Sequence, residues 1–201
     1  MAIPENRLST TVHPDTFLPP DEFDRTLLTD KEAGPIEIGN PSFGLSYQVW
    51  TASYADPVIT LTPADTGLPV DVLSVADVTE LSFAFDQNGN IAVVYKAAGT
   101  VSLYWYDTGQ GDYTTTPSIE GAISAMLTMD DKRSTQTQSS DILLWYTKPE
   151  IDQTFTLYYR QQRESYGTER LLRTNVWRYP WKLGMHEGLR VQLVTVDIPP
   201  T

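Results

Sequence analysis

The side chains nearest to bond-breaking chemistry are three late glutamates, Glu150, Glu164 and Glu169. A glycoside hydrolase sets two carboxylates about 5–10 Å apart across one sugar ring, so Glu150 with Glu164 or Glu169 is the pair to consider. Linear spacing does not establish that distance, and in a chain this acidic most carboxylates serve solubility. Asp86, Asn88 and Asn90 alternate as calcium ligands do, yet the helical calcium loop has its glycine sixth and a glutamate twelfth. Here Gly89 is fourth and Ala97 twelfth. Asn88-Gly89 is also a strong hairpin signal, because both residue types tolerate positive φ. The turn reading wins. His13 and His186 are the only histidines; neither has a neighbour at ligand or relay spacing, and both are expected at the surface. No phosphate-cradling glycine loop, nucleotide fingerprint or nucleophile elbow occurs. The chain has no cysteine, which removes disulfides, thiolate zinc sites and thiol catalysis together. No catalytic, metal-binding or cofactor-binding residue is expected, and the chain reads as a non-enzyme.

Contact chemistry is better represented. Trp105, Tyr106, Trp145, Tyr146, Tyr158, Tyr159, Trp177, Tyr179 and Trp181 are too many rings for one buried core face. Core packing takes the larger share, and the remaining rings can stack on sugars or fill protein interfaces. The expected recognition set is Trp105, Tyr106, Trp145, Tyr158, Arg160, Gln161, Arg163 and Tyr166, with Gln162 beside them.

Most of these residues sit on two β-prone runs, Ile142–Tyr146 and Phe155–Tyr159, joined by a polar turn carrying Pro149, Glu150 and Asp152. In the second run Phe155, Leu157 and Tyr159 point one way and Thr156, Tyr158 and Arg160 the other. One face can be buried while the other stays wet. Upstream, Leu81–Phe85, Ile91–Tyr95 and Val101–Tyr106 read as a three-stranded meander. The two regions share one order of parts: an apolar strand ending in tyrosine, a short turn, an alternating strand with paired aromatics, and a polar loop. Ile91 and Ile142 are 51 residues apart, Tyr104 and Tyr158 54, and a weaker echo lies at Leu45–Leu61. Antiparallel repeats of about 40–50 residues are what propeller blades look like. Two or three units leave two options, an open meander or sandwich, or a partial β-propeller that several chains complete. Val70, Val72 and Val75 mark another short strand, Thr114–Gln138 fits either an outer strand or a short helix, and Leu189–Ile198 reads as the last strand. Residues 1–40, rich in proline, read as an extended attachment arm, with Phe17, Phe23, Leu27 and Leu28 as apolar anchors. Residues 41–201 form the β-domain.

The 201 residues suffice for one all-β domain, and a 40% hydrophobic share supports a real core. A net charge of −12 argues against nucleic acid and anionic membrane as electrostatic partners. The charge is uneven, −13 over residues 1–140 and +1 over 141–201, so an arginine-bearing end can face an acidic end of the next subunit. The start MAIPENRLST lacks the basic and apolar regions of a signal peptide. No run reaches the about 20 apolar residues of a membrane span, so no membrane insertion is expected.

Three stretches carry a family resemblance: DEFDRTLLTDKEAGPIEIGNPSFGLSYQVW, AFDQNGNIAVVY, and DILLWYTK with TLYYRQQRESYGTERLL. Together, from Asp21 to Leu172, they resemble virion structural proteins of tailed bacteriophages, in particular tail-associated components with propeller-like β repeats. The resemblance implies a multi-copy component of the virion tail (fibre, baseplate or adaptor), made in the bacterial host cytoplasm. Its implied partners are other copies of itself, other phage tail proteins and possible host surface polysaccharide. It transfers no catalytic residue. The rival expectations are a carbohydrate-binding module and a propeller-type glycan-cleaving enzyme.

Overall fold

In the computed structural model, residues 32–40, 45–86, 88–116, 118–129, 142–151, 154–176, 181–185 and 191–195 are described. Nearly all of them lie in antiparallel strands. Strands β1 (Glu32–Asn40), β2 (Leu45–Ala55), β3 (Val58–Pro63) and β4 (Val70–Ser74) make one four-stranded sheet in sequence order. A second sheet follows the same plan with β5 (Val78–Phe85), β6 (Ile91–Ala97), β7 (Thr100–Asp107) and β8 (Asp112–Thr116). The third holds β9 (Ser124–Met129), β10 (Ile142–Pro149), β11 (Phe155–Gln161) and β12 (Arg170–Val176). A two-stranded hairpin, β13 (Trp181–Met185) with β14 (Val191–Thr195), ends the series. Among the described residues no helix is long and apolar enough to cross a membrane.

The sheets stack face to face, and the alternation of side chains along each strand explains how. On the middle sheet Leu81, Phe83, Phe85, Val93 and Tyr95 meet Ala52, Ile59 and Leu61 of the first. The opposite face of the same sheet presents Ala84, Ala92, Val94, Val101, Leu103 and Trp105 to Ala125, Leu127, Ile142, Leu144 and Tyr146 of the third. A strand covered on both sides has no use for polar alternation, which is why Ile91–Tyr95 and Ile142–Tyr146 read as unbroken apolar runs. Leu127 N–H donates to Ser82 Oγ at 3.2 Å, one polar stitch between the second and third sheets. The initial strands of the meanders pack together, β5 against both β1 and β9. Strands β4, β8 and β12 therefore form the outer edges.

Two expectations change. The described sheets make an open stack with two ends and no closed ring, so the propeller option is replaced by stacked four-stranded meanders. The last nine residues of the expected arm form β1, paired with β2 from Glu32↔Ser53 to Asn40↔Leu45. Pro35 is tolerated there because β1 is an edge strand and its ladder shifts register between Ala33 and Ile36. Phe17, Phe23, Leu27 and Leu28 lie outside the described residues, as do His13 and His186. The undecided stretch after Thr114 supplies β8 and β9, both strands.

Candidate functional site

The late hairpin brings the chemistry-bearing side chains together. Its turn closes at Pro149↔Phe155, so the ladder sets Tyr146 opposite Tyr158 and Leu144 opposite Arg160. The two tyrosine rings stack, 5.8 Å apart and 18° from parallel. Lys148, two residues on, lies on the same face with Nζ 5.0 Å from the centre of the Tyr158 ring, close enough for a cation–π contact. Arg160 reaches back diagonally: Nε donates to Tyr146 Oη at 2.9 Å, and Nη1 to the Tyr166 carbonyl at 3.2 Å.

Glu169 closes the cluster. It accepts the Tyr146 hydroxyl proton, lies 2.7 Å from Lys148 Nζ and 3.4 Å from Arg160 Nη2. Partial burial pushes the Glu169 carboxyl up, but hydrogen bonds from Lys148 and Tyr146, with Lys148 and Arg160 charge behind them, outweigh it and hold it below the usual glutamate value. Burial pushes the Tyr146 phenol well above the ordinary tyrosine value, its bond to Glu169 adds to the rise, and Arg160 opposes it. Tyr146 stays protonated and Glu169 stays ionised.

The turn after β11 places these partners. A single 3₁₀ turn at Gln162–Glu164 is followed by Ser165 and Tyr166, both at positive φ, 50° and 54°. Positive φ at a bulky residue is uncommon. Here the Tyr166 N–H bonds the Gln161 carbonyl at 3.0 Å, and its ring meets Trp105 edge-on at 5.0 Å. That reversal seats Tyr166 in the core between the second and third sheets and lets the chain run on to Glu169.

The expected recognition residues divide sharply. Trp105, Trp145 and Tyr166 are core side chains, at most 3% exposed, and offer no surface in this arrangement: Trp105 and Tyr166 pack between the second and third sheets, and Trp145 lies on a strand buried on both faces. Tyr106, Tyr158, Arg160 and Gln161 are half-buried, and Arg163 is exposed. Of these, Tyr158 and Arg160 join the cluster described above. Tyr106 belongs elsewhere, with Tyr113 edge-on at 5.2 Å and Tyr104 stacked on Tyr113 at 5.0 Å and 10°. Sequence reasoning missed Lys148, Tyr104 and Tyr113, and it weighed Glu169 only as a hydrolytic acid. The signal for Tyr113 was the DYTTT run, whose β-branched threonines mark an outer strand.

No family model, curated protein or solved structure matches this chain. The site's chemistry therefore rests on its geometry. Each of the three glutamates considered for a hydrolytic pair is held by its own donors: Glu150 by the Thr156 hydroxyl at 2.5 Å, Glu164 by Arg170, Glu169 by Lys148 and Arg160. A general acid works with a raised pKa, and Glu169 is shifted the other way. Asp86 is likewise occupied, Oδ1 accepting from Asn88 N–H at 2.8 Å and Asn90 N–H at 2.9 Å, Oδ2 from Asn90 Nδ2 at 2.9 Å. Among the described residues no group of three or more acidic, histidine or cysteine side chains is placed to hold a metal ion. The arrangement engages Tyr146, Lys148, Arg160 and Glu169 with one another.

Proposed function

We propose that this chain is a structural protein of a tailed-phage virion, a multi-copy tail component that connects neighbouring parts or presents a host-binding surface. The observation that supports it is the mutual engagement of Tyr146, Lys148, Arg160 and Glu169. Charges paired to one another within a stacked β-scaffold stiffen a surface, whereas a catalyst keeps a proton donor poised for substrate. Virions carrying a tagged copy of the chain, imaged by negative-stain electron microscopy, test the reading. Label repeated on the tail is the expected result; label absent from intact particles would end it.

A second reading, a carbohydrate-binding module, is favoured by one observation. Tyr104, Tyr106 and Tyr113 form a connected ring cluster on the outer strands of the middle sheet, and Tyr113 is exposed. Rings with one open side stack on sugars. Retention of the chain on immobilised bacterial surface polysaccharide, lost in Tyr113→Ala, would support it; equal retention of both forms would discard it. Release of reducing sugar ends would defeat both readings.

A further inference from the structure

We propose that copies of this chain assemble head to tail, the outer edge of the first sheet of one copy docking on the outer edge of the third sheet of the next. The inference rests on the multi-copy reading above and names the surfaces it would use. Among the described residues β4 and β12 are each bonded to a neighbour on one side only, so each turns a row of N–H and C=O groups outward. Natural edges are usually blunted by charge, proline or bulges because such a row templates pairing with another chain. Both edges here carry such devices, a register shift in each ladder with Asp71 on β4 and Arg170 and Arg173 on β12, but they also hold apolar side chains in the open: Leu68 is 69% exposed and Val70 47% at β4, and Leu171 is 58% exposed on β12.

Charge then selects which edge meets which. From Glu32 to Ser74 the first sheet and its loops contain Glu32, Glu37, Asp56, Asp65 and Asp71 and no lysine or arginine. From Ile142 to Val176 five basic residues stand against four acidic ones, and Arg170 and Arg173 lie on β12 itself. Asp71 lies on β4 and is exposed. A β4–β4 contact would set aspartates against each other, and a β12–β12 contact arginines. Arg170 is already paired with Glu164 and Asp71 takes a hydrogen bond from Thr60 at 3.3 Å, so the mixed contact sets Asp71 chiefly against Arg173, and Leu68 and Val70 against Leu171. Like-charge juxtaposition penalises the two symmetric pairings while opposite charge favours the third. A contact between two different patches is heterologous, so it closes into a ring where the rotation permits and otherwise extends as a filament.

Sedimentation velocity of the full chain over a range of concentration and salt tests this. The expected result is an assembly that weakens as salt screens the edge charges. Asp71→Arg and Arg173→Asp should each weaken it by about tenfold or more, and the double variant Asp71→Arg/Arg173→Asp should recover it, since the charges are then exchanged. Recovery also rules out a folding defect as the cause of the single losses, and circular dichroism of each variant checks the β content directly. Assembly unchanged in both single variants overturns the edge contact and leaves the multi-copy reading standing. A chain monomeric at every concentration overturns both. Assembly that appears only when a polysaccharide or another protein is added assigns the edges to that occupant and overturns the self-docking.

Discussion

Arg160 lies diagonally across the β10–β11 ladder from Tyr146, and its Nε donates to the phenol oxygen at 2.9 Å. The same guanidinium serves the Tyr166 carbonyl and the Glu169 carboxylate. One planar cation thus joins a buried tyrosine, a reversed turn and an acid from the next strand connection. Only arginine has the fork of donors for three acceptors.

Arg160→Ala should therefore cost more than an exposed ion pair would. It leaves the Tyr166 carbonyl without its arginine donor and Glu169 with one cation fewer, a loss of about 2–4 kcal/mol for a mostly buried charged hydrogen bond. Arg160→Lys keeps the charge but spans fewer acceptors, and should recover part of the loss. Urea midpoints at unchanged slope measure both. Equal stability of the Ala variant and the parent would show that the cluster contributes nothing.

The pH dependence has two limbs. Glu169 is lowered in the fold, so its contribution is present above the unfolded carboxyl value of about 4.3 and is lost as pH falls through the folded value. Tyr146 is raised, so its contribution is present below the unfolded phenol value of about 10 and is lost as pH climbs toward the folded one. Glu169→Gln should flatten the acid limb and Tyr146→Phe the alkaline limb of a plot of stability against pH. Unaltered limbs in these variants would place the titration elsewhere.

The outward face of the third sheet holds a different imbalance. Thr147 is fully buried beside Trp145, and both the Thr147 hydroxyl and the Trp145 indole N–H are buried without a hydrogen-bond partner. Thr147→Val removes one such group at nearly constant shape and should stabilise the fold by about 1 kcal/mol. Its backbone carbonyl, which accepts from Ile123 N–H at 3.0 Å, is retained. Trp145→Ala at the same face should cost about 3–5 kcal/mol, because it empties a fully buried site. A Thr147→Val protein with a lower melting temperature would mean that the hydroxyl is satisfied in solution.

Much of this fold was legible because β-sheets announce themselves in period two. Leu81, Phe83 and Phe85 alternate, Asn88-Gly89 turns, and the structure places β5 and β6 on either side of that turn. The repeat between Ile91 and Ile142 corresponds to the second and third strands of the middle and third sheets. The fourth strands were harder, since β8 and β12 are edge strands with polar or mixed sequences, where packing asks little of side-chain type. The site was half legible. Parity along β11 puts Tyr158 and Arg160 on one face, but which ring or acid they meet depends on the register with β10 and on the reversal at Ser165 and Tyr166. Neither is written in any one strand. Trp145 misled because β10 is buried on both faces and hides its ring whichever way it points, whereas Trp105 lies on the inward face of an alternating strand, and parity alone does not say which face is inward.

The hairpin loop at Asp86 offers the cleanest separation of a structural from a metal-binding role. Asp86 is almost fully buried, and its two carboxylate oxygens accept from Asn88, Asn90 and, at 3.4 Å, Gln162 Nε2 across to the third sheet. Asp86→Ala strands two backbone N–H groups and should cost about 1–3 kcal/mol. Gly89 has a φ of 79° with open space where a Cβ would stand, so Gly89→Ala suffers from backbone strain alone, about 1 kcal/mol. Gly89 N–H also bonds the Asp86 carbonyl at 3.0 Å, so the two losses belong to one loop and should couple, the double variant departing from their sum. Added calcium should leave the melting temperature of the parent unchanged, because the carboxylate oxygens already face amide donors. A calcium-dependent rise that vanishes in Asp86→Ala would instead make the loop a cation site.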